Sequence, residues 1–355
     1  MNSLSKFLLI RTDRVGDTLL TLPTVTAIRE AYPDAKISFM IRPYTRALAE
    51  HYRGIDQVII YDPDGLHQGF QGHLKLGQEL SAYSFDAAIL FHARFEIAAA
   101  VTHAGIPVRV GTAYRWYSFL FTHRVQEHRK DCLKHELDYN LSLLSGILPD
   151  SEQPLQAVQA PIFDFELPEA LSTWRSSTLS ELNITTTYAI MHPGSGASAP
   201  NLDVQQYHFV LEELLQQTSW MILLTGSPQE EKLVHAIMEE LDEEQAKRVK
   251  SVTGKFTLEE FMCIIQTAKL LLTSSTGPIH IANALQTPVL GFYCHAVPHT
   301  AKRWGPYHQQ EWVISSGLTN PEVCKQSKCP HGGCLQKLPQ AVLQKRVQER
   351  VQDLL

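Results

Sequence analysis

The sequence predicts an α/β protein built as two similar halves, each a parallel sheet covered by helices. Three observations carry this. Short apolar runs rich in β-branched residues alternate with longer stretches whose apolar residues recur every three or four positions. The alternation breaks once, at 149–170, where four prolines and the lack of any clear period mark an interdomain linker. A chain of 355 residues is also too long for one ordinary domain and suits two.

Taken in order, the expected strands of the first half are 6–10, 37–41, 57–61, 87–91 and 108–110. Those of the second half are 188–191, 220–224, 249–252, 270–273, 289–293 and 312–314. Between them lie helical patterns, clearest from Leu19 to about Tyr32 and at 204–215, 230–241 and 258–268. Strands separated by helices must run parallel, because each connection crosses over the sheet. The last stretch, 339–355, places Leu343, Val347, Val351 and Leu354 on one stripe, so this helix must pack on something. The domain bounds read 1–160 and 161–335, with a terminal helix at 336–355.

Composition narrows the function. Hydrophobic residues make up 44% and charged residues 19%, the balance of a folded soluble protein. A net charge of -6 argues against a general nucleic-acid coat. Residues 1–46 nevertheless hold seven basic and four acidic side chains, which fits an anionic small ligand or a membrane-surface substrate as well as a solvated face. Apolar runs such as Phe7–Ile10 are far too short to span a membrane or to form a signal-peptide core, so no transmembrane segment is expected and a cytoplasmic setting is. The six cysteines read there as reduced thiols. Cys324, Cys329 and Cys334, with His331 among them, could ligate zinc, or could sit in a turn-rich loop with Pro330, Gly332 and Gly333.

Open parallel sheets bind ligands at the carboxyl ends of their strands, so loops that follow strands hold the candidates. Arg11-Thr12-Asp13-Arg14-Val15-Gly16-Asp17 follows the first strand. There Asp17 is either a helix cap or a carboxylate that takes a proton from a hydroxyl. His192-Pro193-Gly194-Ser195-Gly196 follows 188–191 and suits a phosphate or a hydroxyl-rich ligand, or is merely a tight turn. Glu230 stands near a helix start after Thr225-Gly226-Ser227-Pro228, where it complements the helix dipole or accepts hydrogen bonds from a ribose. Ser274-Ser275-Thr276-Gly277-Pro278 places helix-start amides after 270–273 as a ready diphosphate site, with His280 one turn in. Asp62-Pro63-Asp64 has the DxD pattern of metal-dependent sugar transferases but reads better as a surface turn. No strand is followed by GxGxxG, which disfavours a nicotinamide oxidoreductase.

Six segments in register, IRTDRVGDTLLTLP, MHPGSG, TGSPQEE, GKFTLEE, TSSTGPIHIANAL and KRWGPY, resemble glycosyltransferase family 9, the bacterial heptosyltransferases of the lipopolysaccharide inner core. The resemblance covers most of the chain. It implies the GT-B fold, two Rossmann-like domains facing a central cleft with the acceptor N-terminal and the nucleotide-sugar donor C-terminal. It also implies a terminal helix that packs back on the N-terminal domain. The implied reaction is inverting transfer from ADP-heptose, without an obligatory metal or other cofactor, to a lipid-linked anionic saccharide at the inner face of the cytoplasmic membrane.

Carried over residue by residue, the resemblance makes Asp17 the base and sets Thr12 and Asp13 near the diphosphate. Glu230 becomes the ribose acid and Phe256 packs on adenine. Thr276, Gly277 and His280 form the diphosphate turn, beside Ser275 and the loop of His192, Gly194, Ser195 and Gly196. Arg14, Arg42 and Arg46 face the acceptor, extended by Arg109, Arg115 and Arg124. Two positions depart from the family pattern: Ser275 replaces an acid, and Pro200 stands near the place of a basic residue, for which Arg303 or Lys302 could substitute. Both departures bear on the donor sugar more than on the reaction. The rival readings are a family 9 enzyme with another sugar or glycan acceptor, a nucleotide-sugar 2-epimerase of the same two-domain fold, and a non-catalytic nucleotide-sugar binding protein.

Overall fold

A computed structural model describes residues 4–148, 163–196, 199–296, 299–315 and 333–355. The chain divides into two compact units, Met1–Glu166 and Leu167–Leu355. The division falls inside the proline-rich stretch 149–170, slightly beyond the expected bound at 160. Cys324, Cys329 and His331 lie outside the described residues, and Cys334 is a buried free thiol.

In the first unit the strands are β1 (Lys6–Ile10), β2 (Lys36–Ile41), β3 (Gln57–Ile60), β4 (Ala87–Leu90), β5 (Val108–Thr112) and β6 (His123–Val125). The helices are α1 (Val15–Leu19), α2 (Pro23–Ala31), α3 (Arg46–Glu50), α4 (Gly69–Ser81), α5 (Phe95–His103) and α6 (Glu136–Ser142). The sheet order is β3-β2-β1-β4-β5-β6, and every pairing is parallel. Phe7, Leu8, Leu9 and Ile10 of β1 are all fully buried, because a central strand covered on both faces has no solvent side. β6 escapes a sequence reading because His123 and Arg124 are exposed and its three residues form no apolar run.

The expected continuous first helix is two helices. Pro23 has no N–H to give the carbonyl four residues back, and the backbone turns through three-residue bonds such as Leu22 N–H to the Leu19 carbonyl (3.1 Å) before α2 begins.

In the second unit the strands are β7 (Tyr188–His192), β8 (Met221–Leu224), β9 (Val249–Ser251), β10 (Leu271–Ser274), β11 (Val289–Tyr293) and β12 (Val313–Ser315). The helices are α7 (Glu169–Glu181), α8 (Val204–Gln217), α9 (Glu231–Met238), α10 (Glu243–Lys247), α11 (Leu258–Gln266), α12 (Gly277–Ala284), α13 (Ala301–Trp304) and α14 (Gln340–Leu354). The helix expected at 230–241 is α9, preceded by a single 3₁₀ turn at Pro228–Glu230. The sheet order β12-β11-β10-β7-β8-β9 repeats that of the first unit. Capping boxes start α8 (Asp203 with Gln206) and α11 (Thr257 with Glu260), which explains why those two starts were placed correctly.

Leu343, Val347 and Val351 of α14 are buried in the core of the second unit with Tyr207, Val210, Leu211 and Leu214 of α8. Arg350 fixes the same face: its Nε donates to the Val289 carbonyl (3.1 Å), and its guanidinium lies 4.1 Å from the Trp312 ring centre. The apolar stripe of the terminal helix thus packs within the second unit.

Candidate active site

Each sheet reverses its direction of growth once, between β1 and β4 and between β7 and β10. Adjacent strands there send their connections to opposite faces and leave a crevice at their carboxyl ends. The sequence-selected loops emerge at these two places.

In the first unit the centre of the crevice is Arg11, only 3% exposed. Its Nε donates to Asp13 (2.6 Å), one terminal nitrogen donates to Asp17, and the other reaches Asn140 Oδ1 (3.1 Å) and Glu136 (3.4 Å). Glu136, also buried, takes a second cation from Arg129. Asn140 is held in turn by donating to the Leu20 carbonyl (2.9 Å), so α6 and the turn after α1 are fixed to one network. A forked guanidinium meets this many acceptors, as an ammonium would not.

Asp17 is the third residue of α1, whose N-cap is Arg14, and it does not cap the helix. Its side chain is 18% exposed and turned to Arg11. Burial pushes its carboxyl up, to about 6, against the downward pull of Arg11; the charges of Asp13 and Glu136 push the same way as burial. The result is a carboxylate with a proton affinity near neutrality at a partly open position, as a general base requires.

Asp13 is committed to Arg11, and His92, after β4, lies 3.6 Å from its other oxygen. Burial holds His92 below the usual imidazole range. The Thr12 hydroxyl is buried without a hydrogen-bond partner among the described residues, which leaves it a donor for a ligand.

The cations expected to face the acceptor are partly spent. Arg42 pairs with Asp64 and Arg46 with Glu50 (2.6 Å), whereas Arg14 is exposed. Arg109 is structural, its Nε donating to the Leu120 carbonyl (2.8 Å). Asp62 holds its own turn by accepting from Gly65 N–H (3.1 Å), so the DxD segment is the expected surface turn.

In the second unit the His192 loop, the Glu230 turn and the start of α12 converge. His192, the last residue of β7, shares a hydrogen bond with the Thr225 hydroxyl (2.9 Å), and its carbonyl accepts from Thr273 (2.9 Å). Burial pushes His192 down to about 4, against the opposing charge of Glu230, so the ring is neutral at pH 7. Thr225, His192, Gly226, Ser227, Val252, Gly254, Phe256 and Phe261 line a cavity of about 180 Å³. Phe256 also contacts Trp174 edge-on at 5.7 Å. A flat apolar wall beside hydroxyls and backbone suits a nucleobase with its sugar.

Glu230 accepts from Gly196 N–H (3.0 Å), Ser227 N–H (2.8 Å) and the Ser227 hydroxyl (2.9 Å). Burial opposes its charge, but these bonds and the His192 contact outweigh it and hold the carboxyl below the usual range. Its carboxylate is therefore also the clasp between two loops. Gly194 is glycine because a Cβ there would lie 2.0 Å from the Glu230 carboxylate carbon. Gly194→Ala must displace that carboxylate and strand its three donors, at a cost of about 1–3 kcal/mol. A thermal melt should show the loss; an unchanged melt would mean that the clasp is dispensable.

At α12 no side chain caps the helix. Thr276 instead shares a hydrogen bond with Thr273 (3.1 Å); Pro278 has no N–H and Ile279 N–H bonds the Thr276 carbonyl (3.3 Å), so Gly277 N–H is the first-turn donor suited to an anion. Ser275 follows directly on β10, and Ser195 donates to the Ala199 carbonyl (2.9 Å) and accepts from Asn201. His280 is buried, its ring 6.4 Å from that of Trp304. The site thus gathers the expected His192, Gly194, Ser195, Gly196, Glu230, Phe256, Ser275, Thr276, Gly277 and His280 around one strand crossover.

Arg129, Glu136 and Asn140 were missed. Their signal was weak: a Glu and an Asn on an otherwise apolar helical face, which becomes meaningful only against a buried cation more than a hundred residues earlier.

A family model for glycosyltransferase family 9 (heptosyltransferase) matches residues 73–334. A Haemophilus influenzae protein whose name goes no further than glycosyltransferase is 28% identical, over 88% of this chain and 89% of its own. Lipopolysaccharide heptosyltransferase 2 of Escherichia coli is 25% identical, over 82% of this chain and 84% of its own. Among solved structures, a Veillonella parvula family 9 glycosyltransferase superposes with a TM-score of 0.85 at 19% identity, each chain covered to 98%. The E. coli ADP-heptose lipopolysaccharide heptosyltransferase II gives 0.76 at 18% identity, covering 98% of this chain and 99% of its own. Among the described residues, no helix is long and apolar enough to cross a membrane. With the matched span covering well over half of the sequence and both crossover sites built from the expected loops, the chain belongs to glycosyltransferase family 9, the heptosyltransferases, and is a glycosyltransferase of the GT-B fold class.

Proposed function

We propose that the enzyme transfers heptose from ADP-heptose, with inversion at the anomeric carbon, to a lipid-linked anionic saccharide of the lipopolysaccharide core at the inner membrane surface. The observation that carries the reading is the Asp17 carboxylate, turned to Arg11 at the β1 crossover and poised to titrate near 6. The acceptor oxygen attacks the anomeric carbon while its proton passes to Asp17. The bond from that carbon to the β-phosphate oxygen breaks, and its electron pair leaves with ADP. First-turn amides at Thr276 and Gly277, with His280, stabilise the growing charge without an obligatory metal. Phe256 packs on adenine, and the ribose hydroxyls bond the free lone pairs of Glu230.

Ser275 gives one observation in favour of a second reading, a different sugar in the same reaction. Its neutral hydroxyl does not supply the charge of the family's acid at that place.

The deciding experiment incubates the enzyme with ADP-heptose and other nucleotide sugars over a panel of truncated lipopolysaccharide cores, reading ADP release and product mass. ADP release that depends on acceptor, with a product one heptose heavier, is expected. Preference for another nucleotide sugar would select the second reading. Donor turnover without acceptor would point to an epimerase, and binding without turnover to a carrier; either would end the transferase mechanism.

A further inference from the structure

We propose that the loop following β5 docks the first unit on an anionic phospholipid surface through Tyr114, Trp116 and Phe119, with Phe95 beside them. Trp116 is 73% exposed, Phe119 63%, Tyr114 52% and Phe95 42%. Three large aromatic groups left in water on one short segment, with a fourth from the start of α5 beside them, are costly for a soluble surface and mark a contact.

The loop is rigid. Tyr117 and Phe121 are buried in the first unit's core, and the Tyr117 hydroxyl donates to the Ala93 carbonyl (2.5 Å). The Ser118 hydroxyl bonds the Thr112 carbonyl (2.7 Å) and accepts from Arg115 N–H (3.0 Å). Trp116 stacks on Phe95 at 4.9 Å. Inward Tyr117 and Phe121 thus alternate with outward Trp116 and Phe119, so the exposed rings are presented by the fold and not left by disorder.

The charge around them selects the partner. Residues 112–134 hold five basic and two acidic side chains, in a chain whose net charge is -6. Arg115, Arg124 and Lys130 are exposed. Tyr114 packs at 4.7 Å on His128, and Thr112 pairs with Val125, which places the end of β6 beside the aromatic loop. Interfacial aromatics flanked by cations are what a bilayer with anionic headgroups attracts.

Position gives the surface a use. The loop leaves the same carboxyl edge of the sheet as Asp17, and β5 lies two strand spacings, roughly 10 Å, from β1. His92, beside Asp13, lies within the field of Arg94 and Arg115. A membrane against this edge would deliver a lipid-anchored hydroxyl to the Arg11 crossover. The proposal rests on the reading above only for the acceptor's lipid anchor.

The test is vesicle co-sedimentation of the full chain without any sugar, so its failure would leave the transfer assay untouched. Vesicles of phosphatidylethanolamine with phosphatidylglycerol should bind, more weakly at high salt, and phosphatidylcholine alone should bind far less. Trp116→Ala with Phe119→Ala should weaken binding on the order of tenfold or more. Arg115→Gln and Lys130→Gln should each cost about fivefold. The melting temperature and ADP affinity of all variants should match wild type. Wild-type binding that is absent, or that survives loss of both rings, would overturn the proposal. So would a variant that changes only self-association, which would make the patch an interface between copies.

Discussion

On the proposed mechanism, Asp17→Asn should lower kcat by about 10²–10⁴-fold while ADP binds as in wild type, because a positioned base contributes that much and the proposed nucleotide contacts lie in the second unit. The variant should not lose stability at pH 7. Folding raises the Asp17 carboxyl to about 6, above its ordinary value of 3.8, so the ionised form is the one the fold disfavours. The folded chain therefore holds a proton that the unfolded chain has released between those two values. This group's contribution to stability falls as pH rises through that window and stays low above it. Asn mimics the protonated form and removes that penalty. In wild type, kcat/KM should climb as pH rises through about 6, when the proposed base of the free enzyme loses its proton, and the residual rate of Asp17→Asn should lack that limb. A variant with near-normal turnover, or a profile that keeps the limb, would remove Asp17 from the chemistry. A variant that fails to bind ADP would instead show damage beyond the base.

How much of this was readable from sequence follows from the range of the forces involved. Strands such as 6–10 and 289–293 were legible because burial on both faces demands an unbroken apolar run. The starts of α8 and α11 were legible because their caps are local. The loops were legible as sites because parallel topology fixes which strand ends hold ligands. The break at Pro23 was written in the residue itself but was passed over in favour of the apolar period that continues beyond it. What was not legible depended on distant partners. Arg11 read as one of the basic groups of residues 1–46 that suit an anionic partner or a solvated face, yet its acceptors Glu136 and Asn140 come from α6. Glu230 looked like a ribose ligand or a helix-dipole residue, and only the space left by Gly194 shows that it also clasps two loops. The stripe on α14 announced burial but not against what, since any apolar face of either unit would have satisfied it.

The second large effect is expected at Arg11. Arg11→Met removes the cation that faces three carboxylates, of which Glu136 keeps Arg129 and Asp13 keeps the more distant His92 at 3.6 Å. Breaking a buried ion pair from one side costs roughly 3–5 kcal/mol, because the charges left behind cannot recover their hydration. Urea denaturation at pH 7 should show a loss of that size. The gap to wild type should narrow as pH falls, since the stranded carboxylates can escape by taking up protons. Arg11→Lys should lie between the two, keeping the charge but losing the fork that reaches Asp13, Asp17 and Asn140 together. Arg11 and Asp17 are in contact, so their effects cannot be independent. In an Asp17→Asn background one of the three acids is already neutral, and Arg11→Met should then cost measurably less. Equal costs in the two backgrounds would show that Arg11 serves the core of the unit without holding the base, and the orientation of Asp17 would need another cause.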